Sequence, residues 1–265
     1  MKCIFDNDLH IHSGLSSCSN DAEQTPERIL KYAIDNGLKT ICIADHFWDE
    51  AVEGASNWYV PQNYEHISQA KPLPHADGVR FLFGCETELD KYFKLGLSKE
   101  RFDEFDFIVI PTTHLHMKEL TVFEEDRKDA KSRANIWVKR FEAVLNMDLP
   151  FHKVGFAHLT CGLICRESRE EYLETLNLIS DADMERLFTK AAKLGAGIEL
   201  NASDMSFADD EKDTVLRPYR IAKKCGCKFY CGSDAHHPKA FDNAKEIFER
   251  AIDLLELTED DKFVI

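Results

Sequence analysis

The sequence predicts an α/β domain with a parallel sheet of seven strands, and three observations support this prediction. The chain has 265 residues, a length that suits one large domain, since single α/β barrels commonly reach about 250 residues. Strand-length apolar runs alternate with helical patterns along the chain, and several runs are apolar on both faces, as in strands that are covered on both sides. No segment rich in Pro, Gly or Ser separates two halves, which favours a single domain over residues 1–265.

Each predicted element carries a local signal. The strands are assigned to the apolar runs at residues 3–10, 39–44, 80–85, 105–111, 153–157, 196–200 and 228–231. Thr25 and Pro26 predict the start of the first long helix and Gly37 its end, because a hydroxyl caps the first turn and glycine accepts the left-handed conformation. Asp181 and Gly195 bound a later helix, and two further apolar stripes precede Gly226 and the C-terminus. Segment 47–78 is predicted to be irregular.

The composition excludes several classes of protein. Lys and Arg number 33 against 48 Asp and Glu, a net charge of −15 that repels phosphate backbones and anionic lipid, so we expect neither an extended nucleic acid nor a membrane as partner. No apolar run approaches the roughly 18 residues that cross a bilayer. The start of the chain lacks the features of a signal peptide, and the nine cysteines are odd in number, so we expect a cytoplasmic protein with free thiols.

Metal-binding residue types follow the apolar run of nearly every predicted strand. These residues are His10, His12, His46, Glu86, His114, His158, Asn201, Asp234 and His236. In a parallel barrel the carboxyl ends of all strands lie on one face, so we expect these side chains to meet in one pocket. His10 and His12, like Asp234 and His236, stand two residues apart and project to the same side of extended backbone.

The composition of this set predicts a centre of two or three metal ions. Imidazoles and carboxylates suit Zn²⁺, Mn²⁺ or Fe²⁺ better than Mg²⁺ or Ca²⁺, and the residues are too many for one tetrahedral site. Each residue alone could be an ordinary hydrogen-bonded side chain, but their recurrence at equivalent positions of a repeating unit favours metal. Glu88 shares a side with Glu86 and could support a ligand. Two cysteine pairs, Cys161 with Cys165 and Cys225 with Cys227, leave a zinc ribbon open, although neither has the C-x₂-C spacing.

The ordered motifs resemble those of the PHP (polymerase and histidinol phosphatase) family. They comprise H-x-H in the first strand, D-H in the second, then Glu, His and His, and a closing S-D-x-H. The length and the stretch G-S-D-A-H-H-P are most similar to the histidinol-phosphatase branch. The resemblance covers essentially the whole chain and implies a distorted seven-stranded (β/α)7 TIM-like barrel with a trinuclear metal site.

The resemblance also implies how the ligands are divided among the ions. One ion would be bound by His10, His12, Glu86 and Asp234, a second by Glu86, His114 and His158, and a third by His46 and His236. The family usually places another His or Asp shortly after H-x-H. Here the loop reads Cys18-Ser19-Asn20-Asp21, and Asp21 is the displaced candidate ligand.

The expected activity is metal-dependent hydrolysis of a small phosphorylated metabolite, a phosphate monoester, by metal-activated hydroxide. Glu86, Asp234 and His236 are the predicted catalytic residues, and the candidate substrate contacts are Asn201, His116, Arg166 and Arg217. The stretch after Asn201 is acidic, and its Asp204, Asp209 and Asp210 would favour a cationic leaving group. Three alternatives stay open: a phosphodiesterase or nuclease, an amidohydrolase-type hydrolase with eight strands, and a non-catalytic regulatory module that binds metal.

Overall fold

The structure, a computed structural model, describes residues 1–19 and 21–265 and forms one parallel sheet. Its strands are β1 (Asn7–Ile11), β2 (Thr40–Ile43), β3 (His46–Phe47), β4 (Arg80–Thr87), β5 (Phe107–Pro111), β6 (Val154–Ala157), β7 (Gly197–Asn201) and β8 (Lys228–Gly232). Both β2 and β3 pair with β4, so they are two parts of one stave. The described residues therefore form seven staves in the order β1, β2/β3, β4, β5, β6, β7, β8.

The first and last staves meet and nearly close the sheet into a barrel. Ile11 pairs with Ala235 in parallel register. The Asp234 backbone N–H donates to the His10 carbonyl at 2.8 Å, and the His12 N–H donates to the Ala235 carbonyl at 3.1 Å. This closure confirms the predicted seven-stranded α/β barrel and brings the two ends of the sequence together at the carboxyl ends of the strands.

Seven α-helices cover the outside of the barrel in the part of the chain that is described. They are α1 (Pro26–Asn36), α2 (Tyr64–Ile67), α3 (Ala130–Leu145), α4 (Arg169–Leu178), α5 (Asp181–Leu194), α6 (Lys212–Lys224) and α7 (Ala244–Leu254). The predicted helix signals at Thr25 and Gly37 are confirmed: the Thr25 hydroxyl accepts from the Arg28 N–H, and Gly37 adopts φ 68°. No helix among these residues has the length and apolar character needed to cross a membrane.

Two details of the sequence prediction were wrong. Helix α4 was not predicted, because it buries only Tyr172, Thr175 and Leu176 and so lacks a continuous apolar stripe. The first strand begins at Asn7 instead of Cys3, since the Cys3 N–H donates to the Leu257 carbonyl at 2.9 Å and the start of the chain pairs with its end.

Large aromatic side chains fill the interior of the barrel. Phe107 lies 5.1 Å from Tyr230 and 5.9 Å from Phe263 between ring centroids, and all three are buried together with apolar residues from β1, β2, β4 and β6. Because this apolar plug occupies the interior, the polar residues that follow the strands are left to form the opposite, open end.

A close approach between strands explains Gly84 on β4 and generates a prediction. A Cβ atom at Gly84 would lie 2.5 Å from the Phe107 carbonyl oxygen and 2.6 Å from the Cys42 sulfur. Gly84→Ala should therefore lower the free energy of unfolding by roughly 1–3 kcal/mol through overpacking, measured by urea denaturation. Gly162→Ala is the control, since a Cβ there meets nothing within 4 Å. Equal stability of the two variants would contradict the packing assigned to β4.

Candidate metal centre

Three groups of His, Asp and Glu side chains lie together at the carboxyl ends of the staves. The groups are His10 with His12 and Asp234, Glu86 with His114 and His158, and His12 with His46 and His236. Within each group the candidate ligand atoms lie within 4.8 Å of one another. The structure thus brings together all eight of the His, Glu and Asp residues that were predicted to follow the strands.

The Glu86 carboxylate lies between these groups. Its Oε2 is 2.8 Å from His46 Nδ1, 3.4 Å from His12 Nε2 and 3.6 Å from His10 Nε2. Its Oε1 faces the other way, 3.3 Å from His158 Nε2 and 4.0 Å from His114 Nε2. This is the arrangement that a carboxylate bridging two cations needs, because each oxygen is directed at a separate set of nitrogens.

The facing imidazoles of His10 and His12 fit a bound cation. Their Nε2 atoms are 3.1 Å apart, and both nitrogens also face Asp234 Oδ1, at 3.6 and 3.1 Å. Each ring has a partner for its Nδ1 atom: Glu199 Oε1 lies 2.7 Å from His10 and Ser16 Oγ lies 2.9 Å from His12. With Nδ1 acting as donor to these oxygens, the Nε2 lone pairs are free to bind metal.

Several buried polar atoms at this position lack hydrogen bonds within the described protein. They include His46 Nδ1, His236 Nδ1 and Glu86 Oε2. His46 Nδ1 and Glu86 Oε2 are close, but they lack the alignment of a hydrogen bond. Buried polar groups are normally satisfied, and divalent ions would satisfy these atoms. The donor set, imidazoles with carboxylates, therefore fits the implied metals.

The electrostatics of the ligands also suit cations. Burial opposes ionisation of Glu86, yet attraction to the protonated rings of His46 and His10 outweighs it and holds its pKa well below the usual value. Nearby carboxylates raise the pKa of both rings although burial opposes this, and bound metal ions would replace these protons. Burial, together with the nearby His236 and His46, lowers the pKa of His12, so this ring is neutral, as a ligand must be.

Two of the candidate ligands have a strained backbone conformation. His158 has φ 32° and Asp234 has φ 54°, in the left-handed region that residues with a Cβ seldom adopt. Such conformations cost free energy and persist where surrounding structure enforces them, commonly at functional sites. Here the strain places both side chains toward the common centre.

Glu199 on β7 is a functional residue that the sequence analysis missed. It is fully buried; its Oε1 pairs with His10 Nδ1 at 2.7 Å, and its Oε2 accepts from the His158 N–H at 2.7 Å. Gly232 makes room for it, since a Cβ there would lie 1.9 Å from Glu199 Oε1. A signal existed: Glu199 is an acid inside an apolar strand, two residues before Asn201.

Other buried partners orient the remaining imidazoles. Glu88 Oε2 lies 2.6 Å from His114 Nδ1, and the buried Arg140 donates to Glu88 Oε1 at 3.0 Å. The Thr113 hydroxyl lies 2.8 Å from His158 Nδ1. Glu88 therefore supports a candidate ligand, which is the role that its spacing from Glu86 allowed.

The centre lies at the floor of a cavity of about 610 Å³. Its polar wall includes Arg166, which is exposed and pairs with no carboxylate in the described chain, and His116. Burial and the nearby His114 and Arg166 lower the pKa of His116 to about 3, so the ring is neutral at physiological pH. Aromatic and aliphatic side chains form an apolar part of the wall: Trp58, Tyr59, Met117, Leu120 and Leu163. Cys18, Ser56 and Lys118 also line the cavity.

Three predicted site residues have other partners. Arg217 forms an ion pair with Asp181 at 2.8 Å and donates to backbone carbonyls, because its position on α6 faces the start of α5. Asn201 donates to Glu199 Oε2 at 3.1 Å and does not line the cavity. Asp21 lies 2.6 Å from His237 Nε2 and belongs to none of the three groups. These placements correct the predictions of Arg217 and Asn201 as substrate contacts and of Asp21 as a metal ligand.

Two further corrections concern acids and cysteines. Asp204 is buried against the Tyr219 hydroxyl, 2.6 Å away, and is not part of the cavity wall, so it does not select a cationic leaving group.

All nine cysteines are free, as expected. The pairs considered for a zinc ribbon form no metal-binding group among the described residues, because Cys161 lies near the Thr113 hydroxyl and Cys227 near the Phe188 carbonyl.

The chain matches the PHP domain family over residues 8–264. It belongs to the PHP domain family. This confirms the family suggested by the motifs, and the seven-stave barrel agrees with it; the eight-stranded amidohydrolase alternative is thereby wrong.

Two relatives illustrate the range of the similarity. A probable phosphatase of Acetivibrio thermocellus is 24% identical over 238 residues, covering 89% of this chain and 80% of the relative. The crystal structure of histidinol phosphate phosphatase from Lactococcus lactis, complexed with Zn, L-histidinol and phosphate, superposes with a TM-score of 0.60 at 17% identity and covers 93% of each chain. At that identity the superposition supports the barrel fold.

The contact between Glu199 and His10 leads to a prediction. Glu199→Gln removes the charge that holds His10 Nδ1 and should weaken divalent metal binding about 10- to 100-fold, as for other carboxylates that support metal-bound histidines. Titration against a chromophoric chelator measures this change. Glu174→Gln, at an exposed position of α4, is the control; unchanged affinity in Glu199→Gln would show that the contact is only structural.

Proposed function

We propose that this chain hydrolyses a small phosphate monoester with two or three divalent ions, Zn²⁺, Mn²⁺ or Fe²⁺, bound at the candidate metal centre. One observation carries the proposal: the two oxygens of Glu86 face separate sets of imidazoles at the floor of a cavity. Zinc in the Lactococcus lactis structure and the name of the Acetivibrio thermocellus relative support the metal and the reaction class.

The side chains divide the work as follows. Bound divalent ions would lower the pKa of water and neutralise phosphoryl oxygens. Glu86 fixes the spacing of the donor groups on its two sides, while Asp234 and His236 complete the side that faces His12. The backbone strain at Asp234 and the partners of His10 and His114 keep these ligands in place without substrate, so binding requires little rearrangement.

Arg166 and His116 are the proposed substrate contacts outside the metal ligands. Arg166 carries a guanidinium at the cavity wall that no carboxylate in the described chain neutralises, and such a group binds phosphate through charge-assisted hydrogen bonds. His116 Nδ1 is buried without a hydrogen-bond partner in the described residues. The neutral ring can hydrogen-bond to the leaving oxygen.

The remaining wall favours a leaving group with an apolar or aromatic face. Trp58 is 38% exposed and lines the cavity together with Tyr59 and Leu163; its ring centroid lies 4.9 Å from that of His46. Apolar surfaces bind ring-bearing ligands by excluding water from both faces. The limited volume of the cavity suits a small metabolite. Lys118, the other cationic side chain of the wall, pairs with Glu124 at 3.0 Å, which disfavours binding of a long anionic polymer.

The first test of this function uses the metal and Glu86. Protein stripped with a chelator and reloaded with Mn²⁺ or Zn²⁺ should release p-nitrophenol from p-nitrophenyl phosphate, and Glu86→Gln should reduce kcat by at least about 100-fold, the scale of losing a ligand or its support. Glu174→Gln should behave as wild type. A panel of aryl, histidinol and sugar phosphates, with bis-p-nitrophenyl phosphate as a diester, ranks the substrates.

Each outcome of that test is decisive. Turnover confined to monoesters supports the proposal, and preference for the diester would replace it with a phosphodiesterase. Absence of hydrolysis with every metal, in protein that binds metal, would favour the non-catalytic module instead.

Arg166 provides a second test. Arg166→Ala should raise KM for the monoester about tenfold or more and change kcat less, because a charge-assisted hydrogen bond contributes about 1.5–3 kcal/mol. Arg28→Ala on α1, outside the cavity, is the matched control. An unchanged KM would exclude Arg166 as a phosphate contact.

A further inference from the structure

The loop after β1 places Cys18 at the wall of the cavity beside His46 and His236. Cys18 is half-buried and lines the cavity together with these two imidazoles. The other cysteines do not line this cavity.

The position of Cys18 is fixed on both sides. The Ser17 N–H donates to Gln62 Oε1 at 2.9 Å, and the Ser19 hydroxyl donates to the His236 carbonyl at 3.0 Å. Earlier in the loop, two hydroxyls donate to the buried Asp45 carboxylate. The Ser13 hydroxyl is 2.6 Å from it and the Ser16 hydroxyl is 2.7 Å from it. The loop is therefore held against the metal centre and presents Cys18 to it.

An independent observation indicates a ligand between these side chains. His12, His46 and His236 offer three nitrogens within 4.8 Å of one another. The Nδ1 atoms of His46 and His236 are buried without hydrogen-bond partners among the described residues, and His46 itself is only 7% exposed. A cluster of imidazoles with unsatisfied buried nitrogens is a donor set that a cation would satisfy.

Asp21, the acidic candidate from the sequence, does not supply an oxygen to this cluster. It pairs with His237 and lines a separate cleft with Gln24 and Thr25 at the start of α1. In the described part of the loop, Cys18 is the metal-binding residue type that faces His46 and His236.

We propose that Cys18 is a thiolate ligand of the ion bound by His46 and His236. On binding, the S–H bond breaks, the proton passes to solvent and a sulfur–metal bond forms. A sulfur donor makes this position select Zn²⁺, Co²⁺ or Fe²⁺ over Mn²⁺, which prefers oxygen and nitrogen. The inference rests on the metal centre of the proposed function but not on its catalysis.

The test is a Co²⁺ titration of metal-free protein followed by absorption. Wild type should develop the near-ultraviolet charge-transfer band of a thiolate–cobalt bond as Co²⁺ fills the two or three positions of the centre. Cys18→Ser should lack this band and bind one Zn²⁺ at least about tenfold more weakly, while its Mn²⁺ affinity changes little. Cys3→Ser, at a half-buried cysteine whose backbone pairs near the C-terminus, should retain the band.

A measurement on the unmodified protein guards against misfolding of the variant. Bound Zn²⁺ should protect Cys18 from iodoacetamide, read by mass spectrometry of the peptide that contains it, and Mn²⁺ should protect it less. Cobalt binding without the band, equal alkylation with and without Zn²⁺, or failure to bind any metal would each overturn the proposal. If wild-type protein shows the band but hydrolyses no phosphate monoester, the proposed function is overturned and the assignment of Cys18 stands.

Discussion

The crowding of nitrogen and oxygen donors at one end of the barrel is the constraint on which the rest of this structure depends. Two imidazole nitrogens lie 3.1 Å apart, and the Glu86 carboxylate lies buried between two sets of rings. Buried carboxylates and unpaired imidazoles cost free energy unless cations or hydrogen bonds compensate them. The protein concentrates this unfavourable free energy at the carboxyl ends of its strands, and the proposed chemistry follows from the ions that these side chains can bind.

The layer behind the ligands turns a cluster of side chains into a defined centre. Glu199 contacts both the His10 ring and the His158 backbone, so one carboxylate on the sixth stave couples the first stave to the fifth. Arg140, fully buried on α3, fixes Glu88 behind His114. Because these contacts join elements that are far apart in sequence, closure of the barrel and the geometry of the centre depend on each other.

The barrel also separates stability from chemistry along its axis. Phe107, Tyr230 and Phe263 fill the interior, and a larger apolar cluster packs the helices against the outside of the strands. Burial of both stabilises the fold. The candidate metal ligands lie at the carboxyl ends of the strands, and two of them, His158 and Asp234, have a strained backbone. Because the apolar core lies away from these loops, a loop such as the one that carries Cys18 can change in composition without disturbing the core.

The sequence by itself determined the staves and the residues that follow them. Apolar runs and helix signals such as Thr25 and Gly37 act locally, and the i, i+2 spacing of His10 with His12 places both on one side of a strand. Tertiary structure alone decided which loop residues reach the centre: Cys18 instead of Asp21, Arg166 at the cavity wall while Arg217 pairs with Asp181, and Glu199 rather than Asn201 behind His10. The reason is that a loop's path is set by long-range contacts, such as the Asp45 carboxylate holding Ser13 and Ser16, and no local pattern encodes them.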